Sequence, residues 1–288
     1  MSLVEHVLSP MAHKVAFHAR KVPWTLGLQA RFNTRVGPLT IPRTLVSPAI
    51  FYHLINGDYE SPELELLDQY LSADDTVIEL GAGIGYLANR YGARCPRQRH
   101  VTIEASPDMA DLIRTNTAHL GNIEVINAVA ARLSAGAGTG RPLGSAHTVD
   151  FHVYSDYWAS STQPLHLTDP ERHLVRTVQV GTIDLDELIA TRHARMLVCD
   201  IEGGEYDLVR TFDLDVPKIL MELHWRELGI PRALSVLRLL EDRGYRLLGS
   251  PDVFMAIKPC VGDSGLSRTN AAPRHEPHPV REPGRQQQ

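Results

Sequence analysis

Short apolar runs alternate with amphipathic stretches from about residue 62 to residue 224. The runs "TVIEL" (76–80), "HVTIEAS" (100–106) and "NIEVINAVA" (122–130) are separated by segments with helical spacing of apolar residues. Strands of a parallel sheet are buried on both faces, so they are nearly continuous in apolar residues, and helices connect them. The alternation therefore predicts a βαβαβ unit built on a parallel sheet.

The same rhythm continues on both sides of this unit. Upstream, "SPELELLDQYL" (61–71) predicts a helix with Ser61 as its N-cap and Pro62 at its first helical position. Downstream, "RMLVCD" (195–200) and "KILMELH" (218–224) predict two further strands separated by a helix. The final runs "YRLLG" and "DVFMAIKP" predict an antiparallel hairpin. The whole pattern indicates an α/β protein with a doubly wound, mostly parallel sheet.

The composition is that of an ordinary soluble globular protein, with 43% apolar and 22% charged residues among 288. No apolar run approaches the ~20 residues that span a bilayer, so we expect no integral membrane segment. Cys95, Cys199 and Cys260 lie far apart in the sequence, which argues against a disulfide framework or a clustered zinc site. We therefore expect a reducing, cytoplasmic environment.

Charge is distributed unevenly along the chain. Residues 1–50 contain six Lys or Arg and one acid, Glu5, whereas the formal net charge of the whole chain is −5, so the remainder carries about −10. A basic arm of this kind suits nucleic acid or anionic lipid, but its charges are scattered rather than clustered, which favours a solvated arm. Because the body is acidic, we do not expect nucleic acid as the main partner.

A glycine-rich loop follows the first strand of the unit, in "TVIELGAGIGY" (76–86). Gly81, Gly83 and Gly85 let the backbone approach a ligand closely, and the helix that follows favours negative charge at its N-terminus. The dinucleotide fingerprint G-x-G-x-x-G has its third glycine where this chain has Tyr86. The loop alone therefore permits a dinucleotide, another adenosine cofactor, or nothing more than a tight turn.

Two carboxylates flank this loop. Glu104 ends the second strand, 23 residues after Gly81, where a carboxylate accepts hydrogen bonds from both ribose hydroxyls of an adenosine cofactor. Glu79 precedes the loop, close to where the sulfonium and amino group of S-adenosylmethionine lie, whereas a pyrophosphate gains nothing from that charge. Glu79 thus favours S-adenosylmethionine over a nicotinamide dinucleotide, although a role as a backbone or helix-cap acceptor stays open.

A second stretch carries a family resemblance. "LVCDIEGGEYDLV" (197–209) resembles the signature of the FkbM-type methyltransferase family, and "NGDYESPELELLDQYLSADDTVIELGAGIGY" (56–86) resembles the opening of that family. "GTIDLDEL" and "LMELH" fit the same pattern in the right order, over about residues 50–260. The family usually has Asp, Asn and Ala where this chain has Glu79, Gly83 and Gly204, so no side chain is available at Gly83.

This resemblance implies a class I methyltransferase fold, a Rossmann-like sheet of seven mostly parallel strands with an antiparallel C-terminal strand. It implies S-adenosylmethionine as the cofactor and O-methylation of a hydroxyl on a carbohydrate or secondary metabolite. Carried over by position, the cofactor site would comprise Glu60, Glu79, Gly81, Gly83, Gly85 and Glu104, with Asn127 and Ala128 beside the adenine.

Methyl transfer from a sulfonium is an in-line displacement, and a hydroxyl needs a base that takes its proton. The candidates at the ends of the fourth and fifth strands are Asp200, Glu202, Glu205, Glu222 and His224. We assign the chemistry to Asp200 and His224, since an ordinary histidine pKa lies near neutral pH. Asp200, Glu202, Glu222 and His224 also suit Mg²⁺, but nothing in the sequence requires a metal, and we expect none.

Three regions follow from these predictions. Residues 1–60 form an N-terminal helical or irregular arm, residues 61–260 the methyltransferase domain, and residues 261–288 a disordered tail rich in Pro, Arg and Gln. Within the domain, residues 148–180 interrupt the alternation and predict a β-hairpin cap over the acceptor pocket, with Trp158 either stacking on a sugar or forming the core of the cap. The competing functions are a nicotinamide-dependent oxidoreductase and a non-catalytic adenosine-binding scaffold.

Overall fold

The computed structural model describes residues 20–132, 148–154 and 174–259, and every element below lies in the compact unit formed by residues 1–258. The strands are β1 Arg31–Thr34, β2 Gly37–Thr40, β3 Val77–Leu80, β4 His100–Glu104, β5 Ile123–Ala130, β6 Thr148–Tyr154, β7 Leu174–Ile183, β8 Met196–Cys199, β9 Lys218–Glu222, β10 Arg246–Gly249 and β11 Val253–Ile257. The helices are α1 Pro48–Asn56, α2 Ser61–Tyr70, α3 Tyr86–Arg94, α4 Pro107–Thr117, α5 Leu185–Arg192, α6 Glu205–Thr211, α7 Trp225–Leu228 and α8 Ile230–Asp242.

Seven strands form the predicted sheet in the order β5-β4-β3-β8-β9-β11-β10. β3 pairs in parallel with β4 and β8, and the parallel pairing extends outward to β5 and β9. β11 runs antiparallel to β9 and to β10, as the final apolar runs predicted. The strand order reverses between β3 and β8, which is where an open α/β sheet forms its ligand crevice. The predicted fold class is confirmed.

Two more strands extend the sheet beyond the seven expected. β7 pairs in parallel with β5, with Ala128 opposite Gly181, and β6 pairs antiparallel with β7. The predicted partnership of "TVDFHVY" with "HLVRTVQV" is therefore confirmed, but the pair continues the main sheet and gives it nine strands. The segment between them, with Trp158, lies outside the described residues, as does the 261–288 tail.

Helices cover both faces of the sheet because successive strand residues face opposite sides. Val77 packs with Leu67 of α2 and Leu87 of α3 on one face. On the other face, Ile78 packs with residues of α5, α6 and α8, such as Leu208 and Val236. Both apolar layers are buried, which is the doubly wound arrangement that the sequence predicted.

The described part of the predicted arm contributes to the first of these layers. The β1–β2 hairpin and α1 bring Phe32 and Phe51 together with Trp24 in one aromatic cluster. The rings of Trp24 and Phe51 stack with their centroids 4.1 Å apart. The sequence pattern did not predict this hairpin. No helix among the described residues is long and apolar enough to cross a membrane.

Candidate cofactor and methyl-transfer site

A cavity of about 810 Å³ opens at the carboxyl ends of β3, β4 and β8, a volume typical of small-molecule sites. It lies at the predicted crevice of the sheet. Six of the sequence-predicted site residues line it: Glu60, Gly81, Gly83, Glu104, Ala128 and Asp200. The other four do not line it: Glu79 lines a narrow adjoining cavity, Gly85 caps a helix, Asn127 donates to the end of β4, and His224 lies beside Asp200. The structure therefore brings residues from five separate segments to one place.

Gly81 joins the ends of β3 and β8. Its φ is +78°, and a Cβ at this position would lie 1.6 Å from the carbonyl oxygen of Asp200, so only glycine fits. The amide of Asp200 donates to the carbonyl oxygen of Leu80 at 3.0 Å and keeps the two strand ends together. Gly85 is the N-cap of α3, with φ +79°. The glycine loop is thus held by close backbone contact with the strand that carries Asp200.

Glu104 is anchored by backbone amides. Its Oε1 accepts from the amide of Ser106 at 2.8 Å and its Oε2 from the amide of Gly83 at 3.3 Å, which ties the end of β4 to the glycine loop. Burial raises the pKa of Glu104 to about 7. The Asn127 amide donates to the carbonyl oxygens of Glu104 at 2.8 Å and Ala105 at 2.9 Å. Asn127 thus braces this strand end, and its neighbour Ala128 lines the cavity.

Glu79 lies behind the loop in a narrow adjoining cavity and is 2% exposed. Its Oε2 accepts hydrogen bonds from the Tyr91 hydroxyl at 3.0 Å and the Thr102 hydroxyl at 3.3 Å. Burial raises the pKa of Glu79 to about 7. Sequence reasoning missed Tyr91 and Thr102, because the first lies in α3 and the second in β4, and only the folded sheet brings them to Glu79.

Glu60 stands at the start of α2. The predicted N-cap, Ser61, is wrong: the helix begins at Ser61, and Glu60 is the N-cap, with φ 45°. Its carbonyl accepts the first helical amide, that of Leu64, at 2.9 Å. Burial and the nearby carboxyl of Glu63 raise the pKa of Glu60 well above its usual range.

Glu63 is a further cavity residue that sequence reasoning missed. Its side chain is nearly buried, with 7% exposed, and its Oε2 finds no hydrogen-bond donor among the described residues. Burial raises the pKa of Glu63 to about 7. In the sequence it is one acid in the first turn of a helix, a position where acids are common, so no pattern distinguishes it.

The segment "DIEGGE" turns sharply between β8 and α6. Glu202 has φ 49° and Gly203 has φ +95°, and the amide of Gly203 donates to Oε1 of Glu205 at 3.1 Å. Glu205 is fully buried as the first residue of α6. Left-handed backbone at a glutamate is costly, of order 1–3 kcal/mol, and the turn places Asp200, Glu202 and Glu205 around one imidazole.

That imidazole belongs to His224, just beyond β9. Its Nδ1 lies 2.6 Å from Glu205 Oε1, and its Nε2 lies 3.2 Å from Glu202 Oε2 and 3.5 Å from Asp200 Oδ1. Burial alone lowers the pKa of His224, but the hydrogen bond that its Nδ1 donates to Glu205 and the charges of Glu202 and Asp200 raise it to about 10. At neutral pH the ring is therefore protonated when these carboxylates are charged.

Further carboxylates increase the negative charge around Asp200. Glu222 Oε1 lies 3.7 Å from His224 Nε2. Burial and the charges of Glu222 and Glu202 raise the pKa of Asp200 well above its usual range. Burial and the charge of Glu222 raise the pKa of Glu202 to about 7. One ligand atom each from Asp200, Glu202 and His224 lies within 4.8 Å of the other two, a spacing that suits a metal ion.

These residues fit a cationic adenosine cofactor. Glu104 presents a carboxylate to the cavity, and Glu60, Glu63 and Glu79 line a narrow adjoining space beside the glycine loop. A sulfonium and an ammonium group compensate such buried carboxylates, whereas a pyrophosphate there would be repelled.

Several solved structures resemble the chain at low identity. One is Aeropyrum pernix fibrillarin with natively bound S-adenosyl-L-methionine, at 13% identity over 68% of this chain and 72% of that chain, with a TM-score of 0.37. Another is a precorrin-6y C5,15-methyltransferase from Geobacter metallireducens, at 13% identity over 76% and 95%, with a TM-score of 0.41. A third is a Bacillus cereus O-methyltransferase in complex with SAH, at 16% identity over 75% and 84%, with a TM-score of 0.35.

No curated protein sequence matches the chain. The sequence model of the methyltransferase FkbM domain, in contrast, matches residues 79–247, more than half of the chain. The matched segment begins at Glu79 and contains the glycine loop, Glu104, the "DIEGGE" turn and His224. This match decides between the two adenosine cofactors that the glycine loop left open, in favour of S-adenosylmethionine. The chain therefore belongs to the FkbM methyltransferase family, as the motifs in its sequence already indicated.

Proposed function

We propose that this methyltransferase transfers the methyl group of S-adenosylmethionine to a hydroxyl oxygen of a carbohydrate or secondary metabolite. One observation carries the proposal: carboxylates and an imidazole meet where β8 and β9 end, beside the glycine loop, and Asp200 among them lines the cavity. An alcohol oxygen becomes a useful nucleophile only as its proton leaves, so an acid–base cluster at the reaction centre is what O-methylation requires.

In this proposal the cofactor lies along the glycine loop. The Glu104 carboxylate accepts from the ribose hydroxyls, and Ala128 contacts the adenine. Glu60 and Glu79 compensate the charge of the methionine end. Gly81, Gly83 and Gly85 provide the close backbone approach, and Asn127 holds the β4 end that carries Glu104.

Bound S-adenosylmethionine supplies an electrophilic methyl carbon on a positively charged sulfur. The Asp200 carboxylate, beside the protonated His224, orients the acceptor hydroxyl for in-line attack and takes its proton as the new C–O bond forms. Glu205 fixes the imidazole through Nδ1, so Nε2 is directed at the Asp200 carboxylate, and Asp200 lines the cavity. The proton that leaves the hydroxyl enters this carboxylate–imidazole cluster and passes to solvent.

The acceptor in this proposal is a small molecule or glycan rather than nucleic acid. The cavity wall carries Glu60, Glu63, Asp200, Glu202 and Glu222, and such a surface repels a phosphate backbone. We also propose a cytoplasmic location, which is supported by Cys95 and Cys199: both are buried free thiols, as a reducing compartment favours.

A comparison of cells with and without the chain tests the proposal. We expect mass spectrometry of small metabolites and released glycans to show one compound class that gains a single methyl group when the chain is expressed. Nuclear magnetic resonance of the purified compound should place that methyl group on oxygen. A product methylated only on nitrogen or carbon, or only on RNA or protein, would contradict it.

A further inference from the structure

We propose that Asp200, Glu202 and His224 bind a divalent first-row transition-metal cation beside the methyl-transfer cavity. Binding of the cation is independent of the function proposed above, whereas its role in activating a hydroxyl rests on that function. In the sequence these residues suited Mg²⁺, but nothing required a metal and none was expected. The reason comes from how the three ligand atoms are spaced, how the histidine is held, and which buried oxygen is left without a donor among the residues that the structure describes.

The ligand atoms are spaced as metal ligands are. Nε2 of His224 lies 3.2 Å from Glu202 Oε2 and 3.5 Å from Asp200 Oδ1. Ligand atoms at ~2.0–2.2 Å from a common cation are separated by roughly 3.0–3.5 Å in octahedral or tetrahedral geometry. One ligand atom from each of the three residues lies within 4.8 Å of the other two, so a cation fits between them once the side chains adjust.

His224 is held as metal-binding histidines usually are. Its Nδ1 donates to the fully buried carboxylate of Glu205 at 2.6 Å, which leaves Nε2 directed at Asp200 and Glu202. Metal-ligating histidines almost always donate their second nitrogen to a carboxylate or carbonyl in this way. Glu205 is fixed in turn by the amide of Gly203 at 3.1 Å. The imidazole thus reaches the proposed site in a single orientation.

One of the three ligand atoms is a buried oxygen without a hydrogen-bond donor in the described part of the chain. Asp200 Oδ1 is inaccessible to solvent and has no hydrogen-bond donor among the described residues, although it faces Nε2. Buried carboxylates are costly unless a positive charge compensates them, and a divalent cation supplies that charge.

The donor set indicates the class of metal. Mg²⁺ and Ca²⁺ prefer oxygen ligands throughout, whereas one imidazole nitrogen with two carboxylate oxygens suits Zn²⁺, Fe²⁺, Co²⁺ or Mn²⁺. Such a cation lowers the pKa of a coordinated hydroxyl. With Asp200 and His224 holding the cation, Glu222, 3.7 Å from Nε2, would take the hydroxyl proton in place of Asp200, while the oxygen bonds to the methyl carbon and the carbon–sulfur bond breaks to leave a neutral thioether.

Titration of the chelator-treated full chain with Zn²⁺ or Mn²⁺ alone tests the proposal, by calorimetry and by electron paramagnetic resonance for Mn²⁺. We expect one site per chain, at least tenfold weaker in Glu202→Gln and in His224→Gln. Glu241→Gln, an exposed carboxylate on α8, is the matched control and should bind as the wild type does. Circular dichroism confirms that each variant is folded.

The outcomes separate the two proposals. The metal site would be overturned if the wild type binds neither Zn²⁺ nor Mn²⁺, or if Glu202→Gln binds as tightly as Glu241→Gln. A site that binds Mg²⁺ more tightly than these metals would also overturn it. Methyl transfer to a hydroxyl by protein from which a chelator has removed all metal would overturn the role of the cation and leave the proposed function intact. Metal binding at this site with methylation only on nitrogen or carbon would support the site and contradict the proposed function.

Discussion

Glu205 Oε1 and His224 Nδ1 lie 2.6 Å apart, which joins the first turn of α6 to the chain just beyond β9. The contact is buried on the glutamate side, so the carboxylate faces the imidazole with little screening by water. It makes the "DIEGGE" turn and the fifth-strand "LMELH" segment parts of one site, although 19 residues separate the two side chains.

Replacing Glu205 by Gln tests this contact electrostatically. The amide keeps a hydrogen-bonding oxygen but removes a negative charge, so the protonated imidazole loses stabilisation. We expect the pKa of His224, raised to about 10 in the wild type, to fall by about one to three units. Nuclear magnetic resonance titration of the ring in chelator-treated protein measures it, and an unchanged pKa would show that Glu205 does not set the charge of the ring.

Substitutions at two glycines with similar φ distinguish the effect of a steric clash from the effect of backbone strain. Gly81 (φ +78°) leaves 1.6 Å between a built Cβ and the Asp200 carbonyl oxygen, whereas Gly121 (φ +70°) has nothing within 4 Å. We expect Gly121→Ala to lower the free energy of unfolding by about 1 kcal/mol and Gly81→Ala by several times as much. Urea denaturation of both variants measures the difference. Equal losses would mean that the loop is not held by its contact with β8.

Glu79 predicts a pH dependence of stability in the cofactor-free protein. Its pKa is raised from the ordinary 4.5 to about 7 in the folded chain, so between these values the folded state binds more protons than the unfolded state. The contribution of Glu79 to stability is therefore present at low pH and is lost as pH rises through 7. The loss is of the order of a few kcal/mol for a shift of this size.

Denaturation of the wild type and Glu79→Gln at pH 5 and pH 8 measures this loss. We expect the variant to gain stability relative to the wild type as pH increases, because it has no carboxyl to ionise. The buried carboxyl of Glu63 titrates in the same window in both proteins and cancels in the comparison, whereas the charge of Glu104 is itself one cause of the raised pKa of Glu79. If the stability of the two proteins changes with pH in the same way, the raised pKa of Glu79 would be contradicted.

Glu104 should control cofactor affinity. Charge-assisted hydrogen bonds contribute roughly 1.5–3 kcal/mol each, so Glu104→Gln should weaken S-adenosylmethionine binding by about 10- to 100-fold. Isothermal titration measures the dissociation constant, with Glu241→Gln as the exposed control. Unchanged affinity in a folded Glu104→Gln variant would exclude the ribose contact.

Much of the frame was predictable from local pattern. Buried parallel strands are short apolar runs, so β3, β4 and β8 could be predicted from the sequence. Glu104 and Asp200 stand at the ends of such runs, so their carboxylates could be placed at the carboxyl edge of the sheet. His224 follows a strand in the same way. The family motifs then narrowed the choice of cofactor to S-adenosylmethionine.

Other features depend on contacts that no local pattern encodes. Tyr91 of α3 and Thr102 of β4 meet at Glu79 only in the folded chain, where both hydroxyls donate to its carboxylate. Glu63 resembles any acid in a first helical turn until the fold buries it against the cavity. The β1–β2 hairpin was missed because its strands have four residues each and no strong alternation. These contacts arise from tertiary packing, which overrides local propensity.

Labelled methyl transfer tests the central claim most directly. Purified wild type is incubated with methyl-¹³C S-adenosylmethionine and fractionated small metabolites and glycans, beside Asp200→Asn and Glu241→Gln. The account predicts a ¹³C-methyl signal on oxygen for the wild type and Glu241→Gln. It predicts at least a 100-fold loss for Asp200→Asn, whose dissociation constant for S-adenosylmethionine stays within a few-fold of the wild type. A label found only on nitrogen or carbon, or undiminished transfer by Asp200→Asn, would contradict it.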